Sequence, residues 1–168
     1  MKILNCAIVG MGGMGKMYFE ILKRYKIRVK GLCDKKFKKI NNEFHYNNLE
    51  DLLKKNKIDL LVIATTANSR LDIVKLAIKY NIKKIVIEKP LATSLYEGKK
   101  IMKLIKKNNI YCTINHHSRY QHHLKEIKNI IKKNDFGEIS SVNYIGGDLG
   151  FAMNGVHIFE IFRFITDE

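Results

Sequence analysis

Tryptophan is absent from this 168-residue chain, proline occurs once and cysteine three times. One proline and eleven glycines are too few for a collagen-like or proline-rich protein. Cys6, Cys33 and Cys112 are odd in number and widely spaced, and each falls in a strand-like run. They read as buried thiols, which excludes a disulfide scaffold and a cysteine-based zinc site. No apolar run approaches the ~20 residues of a membrane span. Ile58 to Ala64, among the longest, is already interrupted by Asp59. Met1-Lys2 leads straight into Ile3 to Val9 without a signal-peptide pattern, so a cytoplasmic protein with no membrane partner is expected. Arginine is scarce too, at five of the 31 basic residues. The net charge of +15 therefore comes from lysines scattered over many segments. With no helix-turn-helix, RNA-binding or zinc-finger pattern beside them, they read as a solvated surface and not as a specific nucleic-acid interface. Such a surface still raises the local concentration of anionic small molecules.

What the chain has in quantity is apolar residues, 46% of the total and enough for a proper core. Strand-like runs alternate with amphipathic helical stretches from the first residues, the signature of a parallel sheet covered by crossover helices. Strands are expected at Ile3 to Val9, Ile27 to Cys33, Phe44 to Tyr46, Ile58 to Ala64, Lys83 to Ile87 and Ile110 to Asn115. The first helix is expected from Met14 to Tyr25, where Met14, Met17, Tyr18, Ile21, Leu22 and Tyr25 recur at helical spacing. Further helical stretches are a Lys-rich piece at Lys35 to Asn41, Leu49 to Lys55 with Asn48 as cap, a helix starting near Ser69, and one opening on the capping box Ser94-x-x-Glu97. Beyond Ser118 come a helix to Lys133, a turn at 134–137, a strand Ile139 to Ile145, a Gly-rich loop and a final apolar helix. The expected fold is α/β: a Rossmann doubly wound parallel sheet over residues 1–117, then the truncated start of an α+β substrate domain over 118–168.

Gly10-Met11-Gly12-Gly13-Met14-Gly15 places GxGxxG between the first strand and the first helix. Gly10 permits the tight turn, Gly12 lets the backbone approach a pyrophosphate, and Gly15 allows close helix-strand packing, while the helix N-terminus faces phosphate charge. Asp34 follows 19 residues after Gly15 at the end of the second strand, where a carboxylate accepts from the adenosine ribose hydroxyls. Asp34 favours NAD(H). Lys35 and Lys36 leave NADP(H) open, since either could pair a 2′-phosphate. A methyltransferase with a similar loop is the competing reading of the glycines alone.

Glu88-Lys89-Pro90-Leu91-Ala92 ends the fifth strand. Downstream of such a glycine loop, it resembles the glucose-fructose oxidoreductase/inositol dehydrogenase family (Gfo/Idh/MocA). The resemblance continues through Thr65-Thr66-Ala67-Asn68, Asn115 and Arg119, Gly137-Glu138-Ile139 and the His157 helix. This order of motifs disfavours a methyltransferase. It implies an NAD(P)-dependent oxidoreductase acting by hydride transfer on a hydroxyl or carbonyl of a sugar, cyclitol or sugar nucleotide. It also implies catalytic roles for Lys89 and His157, with Gly13, Met14, Thr65, Thr66, Asn68 and Glu88 joining the cofactor contacts. Asn115, His116 and Arg119 are candidates for the substrate side. The sequence departs from the family at Met153, where an Asp commonly stands four residues before the histidine, at Ala67 in place of Pro, and at Leu71 in place of His. Met153 supports an alternative, a non-catalytic dinucleotide-binding module or inactive truncated remnant. His116-His117 and His122-His123 lack an acidic or cysteine partner nearby, so no metal site is expected. The apolar faces of the last strand and helix lead to an expected homo-oligomer.

Overall fold

The computed structural model describes residues 3–25, 27–36, 44–147 and 150–167, with the backbone alone described at 151–153. The chain divides into two compact units, Met1–Asn115 and His116–Glu168.

In the first unit, strands β1 (Asn5–Val9), β2 (Arg28–Cys33), β3 (His45–Tyr46), β4 (Leu60–Ile63), β5 (Lys84–Glu88) and β6 (Tyr111–Asn115) form one sheet in the order β3-β2-β1-β4-β5-β6. Every pairing is parallel. The connections carry α1 (Gly13–Arg24), α2 (Leu49–Lys55), α3 (Arg70–Lys79) and α4 (Leu95–Lys107). The period-2 pleat sorts the central strands: Ala7, Val9, Leu61 and Ile63 join Leu52, Val74, Ile87 and Ile101 in one core. Cys6, Ile8 and Val62 face the opposite way, into a second core with Leu22 of α1. A sheet apolar on both faces must be covered on both, which is the doubly wound plan. Each fully buried Ile or Leu in these layers contributes about 1.5–3 kcal/mol relative to exposure.

The caps show where local chemistry ends the elements. Asn48 Oδ1 accepts from the Glu50 amide at 2.8 Å and starts α2 as expected. At α4 the Ser94 hydroxyl accepts from the Glu97 amide at 3.2 Å, but the Glu97 carboxylate accepts from Thr93 N–H and Oγ1, one residue earlier than a capping box requires. Ser69 makes no side-chain cap on α3; its hydroxyl turns back to Thr65 Oγ1 at 2.9 Å and Thr66 O at 3.0 Å. The Lys-rich piece expected at Lys35 to Asn41 lies outside the described residues, apart from Lys35 and Lys36, which form a turn.

The second unit holds a 3-10 turn at His117–Tyr120, α5 (His122–Lys133), a π-helical turn at Gly150–Gly155 and α6 (Val156–Thr166). The strand expected at Ile139 to Ile145 does not form. Strand backbone is stabilised by a ladder neighbour, and no described residue supplies one there. Lys128 ties α5 to the end of α6, donating to Phe164 O at 2.6 Å and to the Asp167 carboxylate. Among the described residues, no helix is long and apolar enough to cross a membrane.

Burial pushes the Cys6 and Cys33 thiols from 9.0 up to about 12 and Cys112 up to about 11. The folded chain thus holds these protons more tightly than the unfolded chain does. The stabilisation is complete below pH 9.0 and is lost as pH rises toward these values. The melting temperature is accordingly expected to fall between pH 9 and 10.5 by more than a thiol-free variant (Cys6→Ala, Cys33→Ala, Cys112→Ala) loses; equal loss would contradict this assignment. At pH 8 the native thiols should react slowly with an aromatic disulfide and rapidly only after unfolding.

Candidate functional site

The first unit's candidate residues gather at the carboxyl ends of the strands. Gly10 leaves β1 with φ +90° and donates its amide to Cys33 O at 2.8 Å. A methyl group there would lie 2.7 Å from main-chain atoms of Ala64 and Thr65, so the turn is closed against the end of β4. A methyl on Gly15 would overlap the Gly10 carbonyl oxygen, which fixes how closely α1 packs on the loop. Gly12 and Gly13 differ: a Cβ on either meets nothing within 4 Å. Gly12 is the N-cap of α1, makes no side-chain cap, and precedes a first turn without an acidic residue. The helix's positive end therefore opens onto unfilled space, where a pyrophosphate fits by charge and by amide donors. Met14 lies half-buried in that first turn.

Asp34, just past β2, is held by two main-chain donors. Its Oδ2 accepts from Met11 N at 2.7 Å and its Oδ1 from Lys36 N at 2.9 Å. The carboxylate thus fastens the glycine loop and stands beside it with lone pairs left for a ribose diol. Lys35 is exposed. These residues fit a dinucleotide's adenosine and pyrophosphate, with β1–β3 forming one mononucleotide half and β4–β6 the other.

In that second half, Thr66 Oγ1 donates to Asn68 Oδ1 at 2.7 Å in the loop after β4. Glu88 at the end of β5 is only 5% exposed, and its Oε1 accepts from Tyr18 OH at 2.8 Å and Asn115 Nδ2 at 2.7 Å. Lys89 follows, half-buried. Tyr18, which in the sequence is only one of the residues at helical spacing on α1, joins this candidate cluster; its hydroxyl is pushed well above the usual phenol range by burial, then by Glu88. Its position in register with Met14 and Leu22 on α1 disguised it as packing. Arg70 was also missed. It is 2% exposed at the start of α3, donating through Nη1 to Glu88 O and Pro90 O, and through Nη2 to Thr65 O at 2.8 Å and Lys89 O at 3.4 Å. Burial lowers its pKa while the Glu88 carboxylate works against that shift. Its scarcity was the available signal, an arginine directly after the β4 loop in a lysine-dominated chain. A cavity of about 540 Å³ lined by Leu53, Lys57, Asn81 and Lys84 lies instead at the amino ends of the strands. In open α/β sheets ligands bind at the carboxyl ends, the opposite end of the sheet from this cavity.

In the second unit, His157 on α6 packs edge-on against His117, with ring centroids 4.8 Å apart, and against His116 at 6.0 Å. Its Nδ1 is 3.5 Å from the hydroxyl of the buried Ser118. Arg119 pairs with the buried Glu160 at 2.8 Å, and Arg163 reaches the same carboxylate at 3.3 Å. Arg119 therefore bridges the 3-10 turn to α6. His122 pairs with Glu126 within α5 at 3.3 Å.

Comparison with known proteins agrees with this architecture. The chain is 24% identical to the uncharacterized oxidoreductase YrbE of Bacillus subtilis (strain 168) over 185 aligned positions, covering 98% of this chain and 54% of the relative. Myo-inositol 2-dehydrogenase from Lactobacillus plantarum superposes with a TM-score of 0.82 at 20% identity, over 99% of this chain and 57% of its own. The WlbA dehydrogenase of Bordetella pertussis, solved with NADH and UDP-GlcNAcA, gives 0.73 at 21% identity over 81% of this chain and 44% of its own. The chain thus spans about half the length of these relatives. Residues 4–116 match the oxidoreductase family with an NAD-binding Rossmann fold. The chain belongs to that family, the Gfo/Idh/MocA oxidoreductases.

Proposed function

We propose that this chain binds NAD(H) along the carboxyl edge of its first unit and serves hydride transfer on a hydroxyl or carbonyl of a sugar, cyclitol or sugar nucleotide. One observation carries the reading: the uncapped N-terminus of α1 opens beyond Gly12 into unfilled space, with the Asp34 carboxylate fastened to the same loop at Met11. Bound NAD+ supplies the hydride acceptor. The protein's own part is placement and proton handling. The glycine loop amides hold the pyrophosphate, Asp34 takes the adenosine ribose, and Thr65, Thr66, Asn68 and Glu88 shape the other half. Lys89 donates a hydrogen bond to the reacting oxygen and stabilises negative charge developing there. His157 takes the hydroxyl proton when the substrate is oxidised. For that, its Nε2 must be unprotonated, which requires the tautomer whose proton sits on Nδ1, 3.5 Å from the Ser118 hydroxyl. Residues 1–117 form the cofactor domain in this reading and 118–168 the opening of the substrate domain, with Asn115, His116 and Arg119 at its border.

A carboxylate at position 34 repels a 2′-phosphate and pairs with a free ribose hydroxyl. NADH is therefore expected to bind at least about tenfold more tightly than NADPH, a difference of roughly 1.4 kcal/mol. Fluorescence titration of both nucleotides tests it; equal or inverted affinities would mean that Lys35 and Lys36 dominate. Met153 favours a second reading, a dinucleotide-binding module without catalysis, because the family's usual acid/base partner is missing four residues before His157. Turnover across a panel of inositols, sugars and sugar nucleotides separates the two.

A further inference from the structure

The geometry points to Arg70 as the positioning residue for the nicotinamide half of the site, holding the Thr65 loop and the Glu88-Lys89-Pro90 segment at one fixed spacing. The inference rests on the NAD(H) reading above and concerns a residue outside the proposed ligand contacts. Arg70 is 2% exposed, yet its Nη1 and Nη2 donors go to main-chain carbonyls and not to a carboxylate, while its buried Nε has no hydrogen-bond partner among the described residues. Those carbonyls belong to Thr65, Glu88, Lys89 and Pro90, the residues at which β4 and β5 give way to loops. Where a strand ends, its carbonyls lose their ladder partners and need other donors. A buried guanidinium costs desolvation free energy that only well-directed hydrogen bonds offset. Its planar fork can bond two loops at once, whereas an ammonium is a single point with shorter reach. Glu88 adds a second tie: its main chain is held by Arg70, and its carboxylate by Tyr18 and Asn115. Lys89 thus leaves β5 from a segment fixed on both sides.

This arrangement predicts a split that a role in stability alone would not produce. The glycine loop and Asp34 make no hydrogen bond to Arg70, so binding of ADP-ribose, which lacks the nicotinamide, should be indifferent to its loss. In Arg70→Met, measured well below its melting temperature, the Kd for NADH is expected to rise about tenfold or more, while that for ADP-ribose stays within about twofold. Arg70→Lys should recover part of the NADH affinity. If the Met variant does not fold, Arg70→Lys and Arg70→Gln carry the same comparison. Equal loss of both ligands, loss of neither, or failure of all three variants to fold overturns the positioning role and leaves Arg70 as a core residue. If the unaltered protein binds neither ligand, the NAD(H) reading itself has failed, a result distinct from any of those.

Discussion

Gly12→Val is expected to fold like the unaltered chain and to lose at least about 100-fold in NADH affinity, or ~2.7 kcal/mol. The Gly12 backbone, at φ −70° and ψ −162°, is extended and open to any residue, and a Cβ there meets nothing within 4 Å. The added side chain therefore starts from a Cβ with no neighbour and projects into the space in which a pyrophosphate would approach the loop amides. Gly10→Ala should behave in the opposite order. It places a methyl group 2.7 Å from main-chain atoms of Ala64 and Thr65, at φ +90°. Left-handed strain and overpacking together cost about 2–5 kcal/mol, and a large drop in melting temperature should appear before any effect on ligand. Thermal melts paired with NADH titration distinguish the two glycines. Unchanged binding by Gly12→Val would mean that phosphate does not lie on this loop.

Lys89→Met carries the second large effect. With the side-chain length kept and the charge removed, turnover on whichever panel substrate is active should fall by about 10²–10⁴, the range for a lost proton donor or acceptor. NADH affinity should change by only a few-fold, because the interaction is strongest with charge that exists in the transition state. Steady-state kinetics and titration on the same preparation separate these quantities. A parallel fall in both would assign Lys89 to holding the nicotinamide and not to the reacting oxygen.

Sequence patterns revealed the sheet more fully than the site. Cys6 to Val9 and Leu60 to Ile63 are continuous apolar runs because both faces of the sheet are buried, so the strands were legible to within a residue or two. Glycines are legible for the same reason that they matter: Gly10 and Gly15 stand where any Cβ collides with backbone. Residues 139–145 have strand composition, but a strand is a property of pairs, and no described residue pairs with them. The contacts of Tyr18 with Glu88, 70 residues away, and of Arg70 with the Glu88-Lys89-Pro90 segment, 18 to 20 residues away, leave no local spacing in the sequence. Ser69 has the composition of a cap, but its hydroxyl bonds backwards into the Thr65-Thr66 loop. The ion pair of Arg119 with the buried Glu160, 41 residues on, likewise has no local signature in the sequence.

Amide chemical-shift mapping on the isotope-labelled chain tests the central claim most directly, since it reports where a dinucleotide sits as well as whether it binds. Saturable shifts on adding NADH are expected at Gly12, Gly13, Asp34, Thr65 and Lys89, with ADP-ribose reproducing those at Gly12, Gly13 and Asp34 and leaving Lys89 nearly unmoved. The lysine-lined cavity at Lys57 and Lys84, at the opposite ends of the strands, should stay unperturbed. Shifts confined to that cavity, or none at the glycine loop at saturating NADH, would contradict the account.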